Sequence, residues 1–179
     1  MITRLKNRLK RFRSEEEGGV YTLEFAVMMP VLCMTLIYGV ELTTHANRQF
    51  QLERGLEVTT RIIRLNTGQN LTHADLKQSI CDNAGGLDNC EDNMRLEMMP
   101  TNPREFASLP ASPDCTNSPL PVTPVRGWSL GQQHELMLMR ACYQYEPFMS
   151  GFGLGKLIGN GENGKGSMVA MSAFVQEPR

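Results

Sequence analysis

One acidic residue stands inside an otherwise apolar stretch near the start of this chain. The stretch runs from residue 20 to residue 40, and Glu24 carries its one charge. A carboxylate inside a membrane is costly unless it is paired or lies at the interface. Glu24 therefore predicts a partner group of opposite charge. Its position, four residues into the stretch, also allows the alternative that the carboxylate extends to the lipid headgroups.

The apolar stretch is long enough to cross a bilayer. Its 21 residues would span roughly 31 Å as a helix, at about 1.5 Å per residue. A secretory signal peptide that is removed is the alternative, but the stretch is longer than the usual apolar region and no small-x-small cleavage site follows it. We therefore expect a retained transmembrane helix over residues 20–40, in contact with membrane lipid.

Charge is distributed unevenly along the 179 residues. The net charge of −1 arises from 18 Lys and Arg against 19 Asp and Glu. Residues 1–13 hold six cations and no anion, and three glutamates follow at 15–17, so residues 18–179 carry −4. The basic block predicts that the N-terminus is cytoplasmic and that the chain after residue 40 lies outside the inner membrane. The near-neutral total argues against a basic nucleic-acid binder.

No arrangement of residues typical of catalysis or of metal binding is evident. The three histidines, His45, His73 and His134, are scattered and are interpreted as surface or stem residues. Residues 159–167 nearly fit a phosphate-binding loop, but Gly166 stands where Ser or Thr should hold magnesium and a strand is expected to follow. We therefore expect no enzyme activity, no cofactor, no metal site and no small-molecule substrate.

Four of the five cysteines lie on the predicted exterior side, where disulfides persist. Four cysteines allow three pairings. We favour Cys81–Cys90, which closes a short loop after a helix, and Cys115–Cys142, which fastens a proline-rich loop to a strand. Cys33 lies in the membrane helix and is expected to be inert. A metal site is the rival interpretation, but no CxxC pair is present.

The elements after the membrane segment are predicted from periodicity and end signals. Apolar and small residues recur at spacings of three and four, which continues the helix over 41–66. Thr72 and Asp75 resemble a capping box that opens a second helix over 71–81. Strands are expected over 95–99, 135–145 and 167–176, with a long proline-rich loop over 100–126. A Gly/Asn-rich insert, 151–166, separates the last two strands, and residues 159–167 are expected to form a flexible hairpin loop. The stripe of the extended helix comprises Leu42, Ala46, Gln49, Leu52, Leu56, Thr59 and Ile63. It is expected to pack on the small domain or on the helices of other subunits.

Two groups of motifs resemble a known family. Gly19 is followed by V-Y-T-L-E-F, which resembles a type IV pilin-like cleavage site, and E-F-A-V-M-M-P-V-L with Pro30 resembles the TadE-like minor pseudopilins of the tight-adherence (Flp) pilus. Near the other end, residues 137–147 and 172–178 are similar to the last two strands of that family. Residues 67–129 show no such similarity, and the insert 151–166 departs from the family pattern.

The resemblance implies processing and assembly. A prepilin peptidase would cut between Gly19 and Val20, so that Glu24 becomes the fifth residue of the mature chain and Phe25 the aromatic residue after it. Glu24 would then neutralise the new amine of a neighbouring subunit and set the register of assembly. The implied partners are the peptidase, other pilin-like subunits and tight-adherence membrane platform proteins, with no nucleic acid.

These inferences give one expected organisation. The fold is α+β and pilin-like: a long N-terminal membrane-spanning helix packs on a small antiparallel sheet, with a short second helix. Residues 1–19 form a cleaved cytoplasmic leader, 20–40 the transmembrane helix, 41–66 its exterior extension and 67–179 a periplasmic or extracellular α+β domain. The expected function is that of a non-catalytic minor pseudopilin in pilus assembly and surface adhesion. The alternative is a single-pass inner-membrane protein that binds other secretion or envelope components without processing.

Overall fold

The structure is a computed structural model. It describes residues 16–65, 71–102, 104, 115, 128–129, 131–151, 153–159 and 164–178, with side chains from residue 21 onward. The chain divides into two compact units, Met1–Leu42 and Thr43–Arg179. The described elements are a long N-terminal helix, three short helices and one three-stranded antiparallel sheet. The predicted α+β class is confirmed.

The first helix, α1, covers Glu16–Leu65 without interruption. An uninterrupted helix is what the predicted extension over 41–66 requires. Pro30 lies within it; proline supplies no backbone N–H, a loss that transmembrane helices tolerate. In the second unit α1 contributes Leu52, Leu56 and Ile63 to the core.

At its first two positions the predicted stripe of α1 does not pack on the second unit. Leu42 is 58 % exposed and Ala46 is also exposed. Within the stripe, burial begins at Gln49, whose side-chain amide donates a hydrogen bond to the Val169 carbonyl at 3.0 Å. The spacing of apolar residues shows which face of a helix is suited to packing, but it does not show where the packing partner begins.

The second helix, α2, covers His73–Ala84 and begins with the predicted capping box. The Thr72 hydroxyl oxygen accepts from the Asp75 backbone N–H at 3.2 Å, and the Asp75 carboxylate accepts from the Thr72 backbone N–H at 3.0 Å. The hydrogen bond from the Thr72 side chain, followed by that from its backbone, lowers the pKa of Asp75. A four-residue helix, α3, follows at Cys90–Asn93.

The three strands are β1 (Met94–Pro100), β2 (Leu136–Tyr145) and β3 (Gly166–Val175). They form a sheet of order β1-β2-β3, in which both neighbouring pairs are antiparallel. The three predicted strands are therefore confirmed to within one residue at each end. The central strand, β2, is buried along almost its whole length, so both of its faces are covered.

The two faces of β2 have different chemistry. One face supplies Met137, Met139 and Tyr143 to the apolar core shared with α1 and α2. On the other face Arg140 is 4 % exposed, and its guanidinium donates to the carboxylate of Glu97 at 2.6 and 3.0 Å. Arg140 and Glu97 are direct cross-strand partners in the register, which explains how a buried cation is accommodated here.

The connection between β2 and β3 differs from its prediction. It contains a helix, α4, over Gly153–Ile158, for which no element was predicted. Residues 160–163 of the predicted hairpin loop lie outside the described residues. Gly155 allows this compact turn because a Cβ atom there would collide with the carbonyl of Met149. Gly155 therefore permits close packing in the described part of the insert. Gly68 and most of the predicted loop over 100–126 lie outside the described residues.

The helices α1 and α2 approach each other closely at Gly55. A Cβ atom on Gly55 would lie 2.5 Å from the carbonyl oxygen of Ile80. Backbone cannot move away as a flexible side chain can, so the two helices would have to separate.

We expect Gly55→Ala to destabilise the second unit by about 1–3 kcal/mol, the usual effect of overpacking. Gly39→Ala is the matched control, because a Cβ atom there would meet nothing within 4 Å and both sites are helical. Urea unfolding in detergent, with the disulfides intact, measures the difference. Equal midpoints for the two variants would contradict this account of the packing.

Candidate functional site

The apolar part of α1 exposes nearly all of its side chains. The exposed fraction of its large hydrophobic residues is 72 % at Tyr21, 64 % at Phe25 and 58 % at Val40. The helix is long and apolar enough to cross a membrane. A surface of this kind is unfavourable in water, and lipid or other apolar helices would cover it.

The predicted processing and register residues follow one another along α1. Gly19 and Val20 have helical backbone, and Glu24 and Phe25 are exposed. Positions 20 and 24 are four residues apart, so they lie one turn apart on the same side of the helix. A carboxylate at position 24 is thus suited to interact with a charge at position 20, either on its own helix or on an adjacent one.

The backbone around the predicted cleavage bond is easily unwound. Two consecutive glycines, Gly18 and Gly19, lie in the first turn of α1. Each glycine destabilises a helix by roughly 1 kcal/mol relative to alanine, and terminal turns fray readily. An enzyme that requires an extended substrate would therefore unwind this segment at low cost.

A second cluster of polar groups lies where α1 packs against the end of β2. The Arg48 cluster comprises His45, Arg48, Asp88, Tyr143 and Tyr145. The His45 Nδ1 atom lies 2.5 Å from the Tyr145 hydroxyl, and the Arg48 guanidinium lies 5.0 Å from the centroid of the Tyr145 ring. Arg48 also pairs with Asp88 at 3.5 Å. The cluster borders an open cavity of about 440 Å³.

The contacts of the Arg48 cluster hold together parts of the second unit that are distant in sequence. The Tyr143 hydroxyl donates to the Asp88 carbonyl at 2.8 Å, and burial raises the pKa of Tyr143. The Asp88 side chain is 80 % exposed, so its ion pair with Arg48 contributes little to stability. The cluster joins three segments that are distant in sequence: the helix α1, the segment before α3 and the end of β2. Sequence analysis missed it because His45 and Tyr145 are 100 residues apart and their spacing contains no local pattern.

Four of the five cysteines form the two pairs that were favoured from the sequence. Cys81 is bonded to Cys90, which joins α2 to α3, and Cys115 is bonded to Cys142 on β2. The Gln144 side-chain amide also donates a hydrogen bond to the Cys115 carbonyl. Cys33 is a free thiol in the apolar helix. Within the part of the chain that the structure describes, no group of three or more His, Cys, Asp or Glu side chains is placed to hold a metal ion.

No family model, no curated protein and no solved structure matches this chain. The function is therefore argued from the residues and their geometry.

The disulfide assignment predicts a definite thiol count. Alkylation of the protein in denaturing detergent should add one group before reduction, at Cys33, and five groups after reduction. Intact-mass spectrometry counts the added groups. The matched variant Cys33→Ser should give no added group before reduction. Several reactive thiols in the unreduced parent protein, isolated without reductant, would contradict both the pairing and the predicted oxidising location.

Proposed function

We propose that the protein is a non-catalytic minor pseudopilin, which acts in the assembly of a tight-adherence pilus and hence in surface adhesion. It enters the inner membrane with residues 1–19 in the cytoplasm and the second unit on the periplasmic side. A prepilin peptidase cuts between Gly19 and Val20. The mature chain then acts with other pilin-like subunits and membrane platform proteins.

The observation that carries this proposal is the single carboxylate on the exposed apolar part of α1. Cleavage before Val20 would create a cationic α-amine at the start of that part, close to Glu24 by sequence. In a hydrocarbon environment both charges require partners. Pairing between Glu24 and the amine of an adjacent helix would favour one stagger of neighbouring subunits over all others.

The remaining features agree with this location. Disulfides persist on the oxidising side of the inner membrane, and both observed pairs lie after residue 80. The basic block 1–13 lies on the other side of the apolar segment, which accords with the positive-inside tendency. A long N-terminal helix that packs on a small antiparallel sheet is also the layout expected for a pilin-like protein.

One observation favours the alternative, a single-pass envelope protein that is not processed. The predicted cleavage bond between Gly19 and Val20 lies inside α1 rather than in an extended segment. In that case the helix would retain residues 16–19 as its cytoplasmic end, and the exterior unit would bind another envelope component.

Sequencing of the mature N-terminus in cells that make a prepilin peptidase distinguishes the two functions. We expect the sequence to begin at Val20 in the parent chain and in Glu24→Ala, and Gly19→Leu to keep its leader. Assembly into sheared surface fibres, measured by immunoblot, should be strongly reduced in Glu24→Ala, because the new amine would lack its carboxylate.

Leu23→Ala is the matched control for the loss of side-chain volume, because Leu23 lies next to Glu24 and is also exposed. It should be cleaved and should support assembly. An uncleaved parent chain would favour the anchored alternative. Normal fibre assembly with Glu24→Ala would contradict the proposed role of the carboxylate.

A further inference from the structure

The two edge strands of the sheet, β1 and β3, differ in how their outer edges are protected. An exposed strand edge can pair with another chain, and proteins usually block it with charged side chains, proline or a covering segment. The edge of β1 is blocked in this way. The Leu96 carbonyl lies 3.1 Å from the His73 Nε2 atom, and the Met98 carbonyl accepts from the Ser129 backbone N–H at 2.9 Å. The strand also carries two charged side chains and ends at a proline.

The sequence of β3 lacks such protecting residues. The strand Gly166–Val175 contains no charged residue and no proline. Its register with β2 is continuous from end to end, so no bulge interrupts the edge. An edge strand of this kind is suited to pair with a further strand.

The backbone groups of every second residue of β3 face away from β2. Gln176, directly after the strand, faces β2: its N–H donates to the Glu135 carbonyl at 3.1 Å, and its carbonyl accepts from the His134 N–H at 3.0 Å. Because these directions alternate along a strand, the groups of the odd-numbered residues of β3 point outward. The contact at Val169 agrees with this direction, since the Gln49 side-chain amide reaches the Val169 carbonyl from α1.

Three successive outward residues, Met171, Ala173 and Val175, leave their backbone groups available. Among the residues that the structure describes, none forms a hydrogen bond with these outward groups. The side chains are exposed, to 66 % at Met171 and to 48 % at Val175. An open cavity of about 370 Å³ at the end of the strand includes Ala173, Val175 and Leu136 in its lining. The edge thus offers backbone donors and acceptors beside apolar side chains, which an extended apolar segment matches.

We propose that the edge formed by Met171, Ala173 and Val175 binds an extended, uncharged segment of another protein as an added strand of the sheet. Backbone hydrogen bonds hold the segment, and its apolar residues, at every second position, pack on Met171 and Val175. The segment is uncharged because β3 carries no charge to pair with one. This surface lies wholly within the second unit.

A second copy of the chain is a less suitable occupant of this edge. Gln49 already occupies the Val169 carbonyl, so each copy would contribute the same three residues. Edge-to-edge pairing of three residues buries far less than the roughly 1,200 Å² of a stable interface between folded proteins. A flexible segment can instead continue from the strand edge into the cavity beside Val175.

Binding of a synthetic peptide to the full chain in detergent tests the proposal. The probe is a short, fluorescently labelled peptide of alternating valine and threonine, and the control peptide has proline at alternate positions, which prevents pairing. Met171→Lys places a cation on the edge. Leu157→Lys is the matched control, because Leu157 is also exposed, at 78 %, and lies in α4 rather than on this edge. Fluorescence anisotropy measures the affinity, and amide hydrogen exchange locates the peptide.

We expect the peptide to bind the parent chain and to slow exchange in residues 166–175 but not in 94–100. Met171→Lys should weaken binding by about tenfold or more, because an edge lysine opposes strand addition, and Leu157→Lys should bind as the parent chain does. Absence of binding to the parent chain, equal binding of the proline peptide or equal losses in the two variants would overturn the inference. Light scattering tests the second copy: a parent dimer that Met171→Lys converts to a monomer would show that the edge pairs with itself, which also overturns it.

Discussion

A single helix has to place apolar side chains in two different surroundings, and the rest of the structure depends on how it does so. In its first part α1 exposes its large hydrophobic residues, and in its last part Leu52, Leu56 and Ile63 are buried against α2 and the sheet. No loop separates the two parts. A membrane would cover the first part, and the second unit covers the last. Glu24 and Arg48 both lie on this one helix.

The second unit is small, and α1 is part of its core. A unit of this size buries a limited apolar area, so the residues supplied by α1 and the two disulfides contribute a substantial share of its stability. Gly55 permits the close approach of α2 to α1, and Cys81–Cys90 joins α2 to the segment that precedes β1. The sheet is held from its other face by the Arg140–Glu97 ion pair and by Cys115–Cys142. The last part of α1 is therefore an integral part of the core of the second unit.

Local patterns predicted most of the elements. The apolar stretch, the capping box of Thr72 and Asp75 and the alternation in the strands all depend on neighbouring residues, and each appears in the structure. What the sequence did not predict depends on distant residues. The Arg48 cluster requires the register of β2 against α1, and the bridge between Trp128 and Met98 requires a segment to lie beside the edge strand β1. The helix α4 was missed because glycine is a sign of flexibility by composition but also permits close packing.

The same distinction applies to the candidate site. Gly19, Val20, Glu24 and Phe25 were found because a cleavage motif is local in sequence, and the structure places them in consecutive turns of one helix. The exposed side chains of Phe148 and Leu157 were not predicted, since isolated hydrophobic residues show no periodicity. Their exposure became evident only from the fold.

The central claim is that α1 crosses the inner membrane once and carries the second unit to the periplasmic side. Protease treatment of intact spheroplasts from cells that express the chain with a C-terminal epitope tag tests it most directly. The account predicts that the tag is lost from intact spheroplasts while a cytoplasmic marker protein survives. A tag that persists until the spheroplasts are lysed would contradict the claim.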